Sequence, residues 1–156
     1  MKATGVRTKL VLLGIAALAV TIPAALWVVR AREASRRVVC TGRLWSIGLA
    51  ARMYEVDHSN NVSIWQPLSN YVGWRNTDMF ICPSSEHLPG SFSNVNVWAD
   101  YILVSGVSTA APSGTVLAYC SPTNHGGEGG NILFIDGHVE WVETSRFWTT
   151  VSRGKE

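Results

Sequence analysis

Three cysteines are the residues of this chain whose chemistry depends most on what lies beside them: Cys40, Cys82 and Cys120. A disulfide between Cys40 and Cys82 would close a ring of about 43 residues, which stabilises a fold by about 4 kcal/mol in the chain-entropy model. The bridge requires an oxidising compartment, and it would leave Cys120 as an unpaired thiol. The alternative is that all three are reduced and buried as small apolar side chains.

Metal binding and nucleophilic catalysis are the two sharper chemistries that cysteines can support. A metal site read from sequence is expected to show paired ligands at short spacing, and the cysteines form no such pair. A cysteine nucleophile needs a histidine and an asparagine arranged around it, and we read no such His-plus-Asn context around Cys120. We therefore expect no catalytic residue, no metal ligand and no cofactor.

A second group of polar residues lies between His125 and His138 and includes Glu128 and Asp136. A metal enzyme would need three of these side chains to converge around an open coordination position. A Ca²⁺ site would use their oxygen atoms, but the segment has no recognisable calcium-loop spacing. The interpretation we favour is that His125 tethers the glycine-rich loop and that Asp136 serves a turn.

Two β-type segments meet at Asp136-Gly137. They must position the polar residues between His125 and His138. Residues 132–135 form a continuous apolar run of the kind buried on both faces of a sheet, whereas residues 138–142 alternate between polar and apolar. Asp-Gly between such runs predicts a hairpin, because a type I′ turn requires positive φ at both central positions. We expect a buried hairpin near the end of an antiparallel sheet.

An uncharged segment of twenty residues, 10–29, follows the basic residues 1–9. At about 1.5 Å per residue, a helix of this length matches a hydrocarbon core of about 30 Å. We predict a transmembrane helix. The alternative is a signal peptide cleaved after Ala19, but cleavage there would leave an apolar N-terminus. Basic residues flank both ends of the segment, so the positive-inside rule selects no orientation.

The helical pattern continues through residues 30–56. Apolar or small side chains recur at intervals of three and four residues and predict one buried helix face; they are Cys40, Leu44, Ile47, Ala51 and Tyr54. Turn-forming residues at 57–61 end the pattern. We predict one long helix, half in the membrane and half amphipathic, rather than two helices joined at the membrane surface.

The charge of the chain is distributed unevenly. Residues 60–156 carry four basic and eight acidic side chains, a formal charge of −4, and the remaining basic residues flank the apolar segment. A nucleic-acid-binding protein would have its basic patch on the folded domain. We therefore expect a membrane partner and no nucleic-acid partner.

Ordered blocks between residues 31 and 143 resemble the pilin-like proteins that carry the prepilin-type processing-associated H-X9-DG domain. Residues 31–54 are similar to the helix of that family, and residues 79–84, which contain Cys82-Pro83, are similar to its Cys-Pro segment. Residues 112–119 resemble the strand before its histidine loop. His125 and Asp136-Gly137 resemble its signature, with ten intervening residues instead of nine.

The resemblance implies an α+β, pilin-like fold in which a long N-terminal helix packs on a small antiparallel β-sheet formed within residues 57–150, with residues 151–156 as a polar tail. It also implies a pseudopilin-like, non-catalytic component of a type II secretion or type IV pilus-like system. Such a protein would span the inner membrane once, with its C-terminal domain on the periplasmic or exported side, and its partners would be other pilin-like subunits or secretion-system proteins.

The N-terminus departs from the family pattern. Type IV prepilins have a glycine followed by an apolar run with a glutamate at its fifth position, whereas residues 5–10 here read Gly-Val-Arg-Thr-Lys-Leu. The alternative function is therefore a membrane-anchored binding module that uses a pilin-like scaffold without polymerising. Fold alone does not separate the two functions.

Overall fold

The computed structural model describes the backbone of residues 3–58, 65–73, 76–104, 107–108 and 110–154. Within these ranges side chains are described from Leu12 onward, apart from Ala16 and Gln66. The turn-forming residues 59–61 lie outside the described residues, as do the side chains of residues 5–10. The chain divides after Ser35 into two units, and each is described by itself.

The first unit is helical. Its described residues belong to helix α1, Ala3–His58, which contains Pro23, a residue that membrane helices tolerate. Among the described residues, α1 is the one helix that is long and apolar enough to cross a membrane. Its most apolar window has a mean hydropathy of 2.3 and no buried residue. Helix α1 therefore contains one candidate single-pass span by length and composition.

The second unit begins at Arg36 and contains the remaining helices and all the described strands. After α1, its α-helices are α2, Ser69–Val72; α3, Val95–Trp98; and α4, Thr144–Arg153. Its 3-10 helices are Gln66–Leu68, Thr77–Phe80, Phe92–Asn94 and Pro122–His125. Its strands are β1, Tyr101–Leu103; β2, Val116–Cys120; β3, Gly129–Phe134; and β4, Val139–Glu143.

The four strands form one antiparallel sheet in the order β1-β2-β3-β4. Each strand pairs with the next strand in sequence, and Tyr101 of β1 lies opposite Cys120 of β2. A long N-terminal helix together with a small antiparallel sheet confirms the predicted α+β class. Three residues of the predicted buried helix face, Cys40, Leu44 and Ile47, are fully buried.

The hairpin predicted around Asp136-Gly137 is present, but its loop has three residues. The backbone N–H of Phe134 donates to the carbonyl of His138 at 3.0 Å, and the N–H of Gly137 donates to the carbonyl of Phe134 at 2.9 Å. Gly137 has φ of +93°, as in a type I turn followed by a left-handed residue rather than in a type I′ turn. The apolar run therefore reaches into the loop, where Ile135 remains 2% exposed.

The sheet has a helix on each face. On one face, residues of α1 pack with strand residues such as Ala118 and Leu133. On the other face, Phe147 and Val151 of α4 pack with residues that include Val116 and Ile132. The prediction of a polar tail at residues 151–156 is therefore wrong at Val151, which is 3% exposed. The spacing of four between the two buried residues of α4 is the helical signal that indicates this element.

Candidate metal centre

The three cysteines and His125 meet at one point in the second unit. All four are buried, and one ligand atom from each lies within 4.8 Å of every other. His125 Nε2 is 3.4 Å from Cys82 Sγ and 3.5 Å from Cys120 Sγ. We call these four residues the Cys3His cluster. The sequence rule of paired ligands at short spacing missed it, because its members are brought together by the tertiary fold.

Cys40 comes from α1, at the beginning of the buried face of that helix. Next to it, Asn131 of β3 donates its side-chain N–H to the carbonyl of Arg37 at 3.3 Å. Thr41 donates its hydroxyl to the side-chain carbonyl of Asn131, also at 3.3 Å. Asn131 is 1% exposed, so these hydrogen bonds form a buried connection between α1 and the sheet at the level of Cys40.

Cys82 lies in the loop that follows the 3-10 helix Thr77–Phe80. Its backbone N–H donates to the carboxylate of Asp100 at 2.8 Å, and its carbonyl accepts from the N–H of Ser85 at 3.0 Å. Asp100 also accepts from the hydroxyl of Ser85 and pairs with His87 Nδ1 at 2.5 Å. One buried carboxylate therefore holds the loop that carries Cys82.

Asp100 is a residue that the sequence reasoning missed. It directly precedes β1, and its backbone N–H donates to the carbonyl of Phe80 at 2.9 Å. A buried carboxylate requires hydrogen-bond donors, but its donors, Cys82, Ser85 and His87, are 13 to 18 residues away in sequence. No local pattern indicates that pairing.

Cys120 and His125 are joined by a short turn. Cys120 ends β2, and His125 ends the 3-10 helix Pro122–His125, which is followed by Gly126 with φ of +65°. The rings of Trp141 and His125 pack edge to face, with centroids 5.1 Å apart and planes at 84°. The turn returns the imidazole to the end of β2, and Trp141 restricts its orientation.

Hydrogen bonding within the cluster favours the thiolate form of Cys40. Hydrogen bonds from Cys120 and Cys82 lower the pKa of Cys40 to about 4, against the opposing effect of burial. Hydrogen bonds to Cys40 and Cys82, followed by burial, raise the pKa of Cys120. Burial, followed by the charge of Cys40, raises the pKa of Tyr101. A bound cation would compensate this buried negative charge.

The predicted disulfide pair lies within this cluster. Cys40, Cys82 and Cys120 are all free thiols in the structure, and the bridge between Cys40 and Cys82 stays a prediction. The structure adds that Cys120 and His125 lie at the same point. Oxidation of the pair would consume two of the four groups that can hold a metal ion.

The polar group predicted between His125 and His138 is divided in the structure. His125 joins the cysteines, whereas Asp136 Oδ1 accepts from the backbone N–H of His138 at 3.0 Å and pairs with His138 Nδ1 at 2.5 Å. These hydrogen bonds, the backbone one first, lower the pKa of Asp136. The guanidinium of Arg37 donates to Glu128. These residues do not form the three-ligand site considered from the sequence.

With four protein groups at its corners, the cluster has the composition of a closed metal site rather than of a catalytic one with an open position. Its chemistry is to bind a cation or to exchange thiols for a disulfide. Comparison of the chain with family models, with curated proteins and with solved structures finds no match. The resemblance to the H-X9-DG family therefore depends on the sequence blocks quoted above.

Proposed function

We propose that this protein is a membrane-anchored, pseudopilin-like and non-catalytic component of a type II secretion or type IV pilus-like system. The observation that carries the proposal is that the two parts of α1 have different surroundings. Its N-terminal part is apolar and exposed, and its C-terminal part packs on an antiparallel sheet.

The exposed part of α1 is the surface that the proposal assigns to the membrane and to neighbouring copies. Leu13, Leu18 and Val20 are 67%, 58% and 70% exposed. Leaving apolar side chains of this size in water is unfavourable by about 1.5–3 kcal/mol each. A lipid bilayer or other helices of the same kind would remove them from water. The second unit would then lie on the exported side of the inner membrane and contact secretion-system partners.

A crosslinking experiment in membranes tests assembly. A photoreactive amino acid replaces Leu18 in the full chain, and the matched control carries it at Leu88, which is 84% exposed in the second unit. The proposal expects a ladder of crosslinked copies, or crosslinks to pilin-like proteins, from position 18 and not from position 88. Crosslinks to lipid alone at position 18 would contradict assembly through the helix.

The second candidate is a membrane-anchored binding module that does not polymerise. The observation that favours it is the segment Gly5 to Leu10, which has Arg7 and Lys9 and no glutamate. Mass spectrometry of the mature N-terminus separates the two functions. Cleavage after Gly5 with N-methylation of Val6 supports the filament component, whereas an intact Met1 supports the anchored module.

A further inference from the structure

We propose that Cys40, Cys82, Cys120 and His125 form a Cys3His site that binds a single Zn²⁺ ion and stabilises the second unit. The proposal does not depend on the proposed function, since all four residues belong to the unit that begins at Arg36. The site would have a structural role, because the protein supplies all four ligands of a tetrahedral ion.

The spacing of the ligand atoms fits zinc. With Zn–S and Zn–N bonds of ordinary length, the edges of the tetrahedron are about 3.6 Å between sulfur and nitrogen and about 3.8 Å between two sulfur atoms. The distances from His125 Nε2 to Cys82 Sγ and Cys120 Sγ are 3.4 and 3.5 Å. All four ligand atoms lie within 4.8 Å of one another, so only small side-chain movements are needed to coordinate an ion.

The chemistry of the donors selects the class of metal. Thiolate sulfur is a soft ligand and imidazole nitrogen a borderline one, a combination that suits Zn²⁺ and disfavours Mg²⁺ and Ca²⁺. Three buried thiolates without a cation would be strongly destabilising. A divalent ion would leave the site with a formal charge of about −1, which neighbouring hydrogen-bond donors can offset.

One such donor, and one acceptor that orients a ligand, are already in place around the cluster. The side-chain N–H of Asn124 donates to Cys120 Sγ at 3.5 Å, a direct hydrogen bond to a ligand sulfur. The backbone of Cys82 is fixed by Asp100 at 2.8 Å, which orients this ligand without binding the ion. Outer groups of this kind are typical of built metal sites.

The position of the ligands in the fold explains why an ion would stabilise it. Cys40 is on α1, Cys82 is in a loop, Cys120 is at the end of β2 and His125 is at the end of a 3-10 helix. One ion would therefore connect three separate pieces of backbone: the helix, the Cys82 loop, and the turn that runs from Cys120 to His125. Since the unfolded chain does not hold these pieces together, most of the binding free energy would contribute to folding.

The direct test uses the full chain, purified in detergent with a reductant under anaerobic conditions and analysed for metal. We expect about one zinc per chain. After removal of the metal, titration with Co²⁺ should saturate at about one equivalent. The resulting spectrum should show the sulfur-to-cobalt charge-transfer and strong visible bands of tetrahedral thiolate coordination. Reduced protein that contains no zinc and does not bind Co²⁺ would overturn the proposal.

Matched histidine variants test whether His125 is a ligand of the metal ion. His125→Ala should lose stoichiometric Co²⁺ binding, whereas His138→Ala, at an exposed histidine 13 residues away in sequence, should bind as the unchanged protein does. Equal binding by the two variants would overturn the assignment. Because His125→Ala removes a buried side chain, the variant His125→Cys is also needed. It should retain one Co²⁺ and show a stronger charge-transfer band, and a band of unchanged intensity would contradict coordination by residue 125.

Disulfide formation is the competing chemistry of these cysteines, and it gives a result distinct from metal binding. Intact mass spectrometry of the protein prepared without reductant reports a disulfide bridge as the loss of two hydrogens, and peptide mapping shows whether the bridge joins Cys40 to Cys82. A bridged, metal-free chain that does not bind Co²⁺ even after reduction would overturn the proposal of a zinc site. A chain that binds Co²⁺ only when reduced supports it, because the bridge and the ion use the same sulfur atoms.

Discussion

The carboxylate of Asp100 accepts a hydrogen bond from the backbone amide of Cys82 at 2.8 Å. It thereby fixes the loop of one cluster cysteine to the residue that precedes β1. Asp100 is 7% exposed, and its other partners are Ser85 and His87. The cluster is therefore supported by a buried polar network as well as by apolar packing.

Asp100→Asn should destabilise the second unit, because an asparagine side chain has one acceptor oxygen where Asp100 uses two, and its NH2 group then faces one of the donors that Asp100 holds. We expect the free energy of unfolding to fall by about 1–3 kcal/mol, measured by urea denaturation of the full chain in detergent. The matched control is Asp78→Asn, since Asp78 is exposed and should change stability by less than about 0.5 kcal/mol. Equal effects of the two changes would remove the special role of Asp100.

Gly130→Ala should also destabilise the unit. A Cβ atom at this position would collide with the carbonyl oxygen of Cys120 and would lie 2.7 Å from the Phe147 ring. Overpacking of this kind typically costs about 1–3 kcal/mol, and the strain would fall on the end of β2 that carries a cluster cysteine. Thermal unfolding should show a lower Tm than in the unchanged protein.

Gly42→Ala is the control for Gly130→Ala, and it is not expected to lower the Tm. A Cβ atom on Gly42 meets nothing within 4 Å, and alanine is favoured over glycine in a helix interior by about 1 kcal/mol. The Tm should therefore rise or stay unchanged. A fall in Tm with Gly42→Ala would contradict the open space described around α1 at this position.

Trp65→Phe tests a buried hydrogen bond rather than a buried ring. Trp65 is 3% exposed, and its indole N–H donates to the carbonyl of Tyr101 at 2.9 Å. Phenylalanine keeps an aromatic ring but leaves that carbonyl without this donor, so we expect a loss of about 1–3 kcal/mol in urea denaturation. Trp148→Phe, at a side chain that is 52% exposed, should have a much smaller effect.

Asp136 should make the stability of the hairpin dependent on pH. Because hydrogen bonds from His138 lower the pKa of Asp136 in the folded state, its contribution is present above the ordinary carboxyl pKa of about 3.9. It is lost as the pH falls through the lower folded value. The Tm difference between the protein and Asp136→Asn should therefore shrink on acidification. The matched control is Glu140→Gln, which removes an exposed carboxylate of β4 outside the turn.

The sequence predicts the elements of this fold better than its site. The spacing of Cys40, Leu44 and Ile47 indicates a buried helix face, and Asp136-Gly137 indicates a hairpin, since both signals depend on neighbouring residues alone. Helix α4 carries the same kind of signal in Phe147 and Val151, but only over ten residues. Short helices give weak periodicity, and this one was missed.

The Cys3His cluster could not be predicted in the same way. Cys40, Cys82 and Cys120 are separated by roughly forty residues each, so their meeting depends on how α1 docks on the sheet. The one local signal is the separation of five residues between Cys120 and His125. This separation indicates a shared site only once the turn between the two residues is known to reverse the chain.

The open sheet leaves two strand edges, β1 and β4, without a pairing partner among the described residues. An exposed edge invites pairing with another chain, and native proteins avoid this with short strands and charged side chains. β1 has only three residues, and β4 carries Glu140 and Glu143, both exposed. Edge-to-edge aggregation is therefore disfavoured at both ends of the sheet, and copies of this protein would have to recognise one another through helix or loop surfaces.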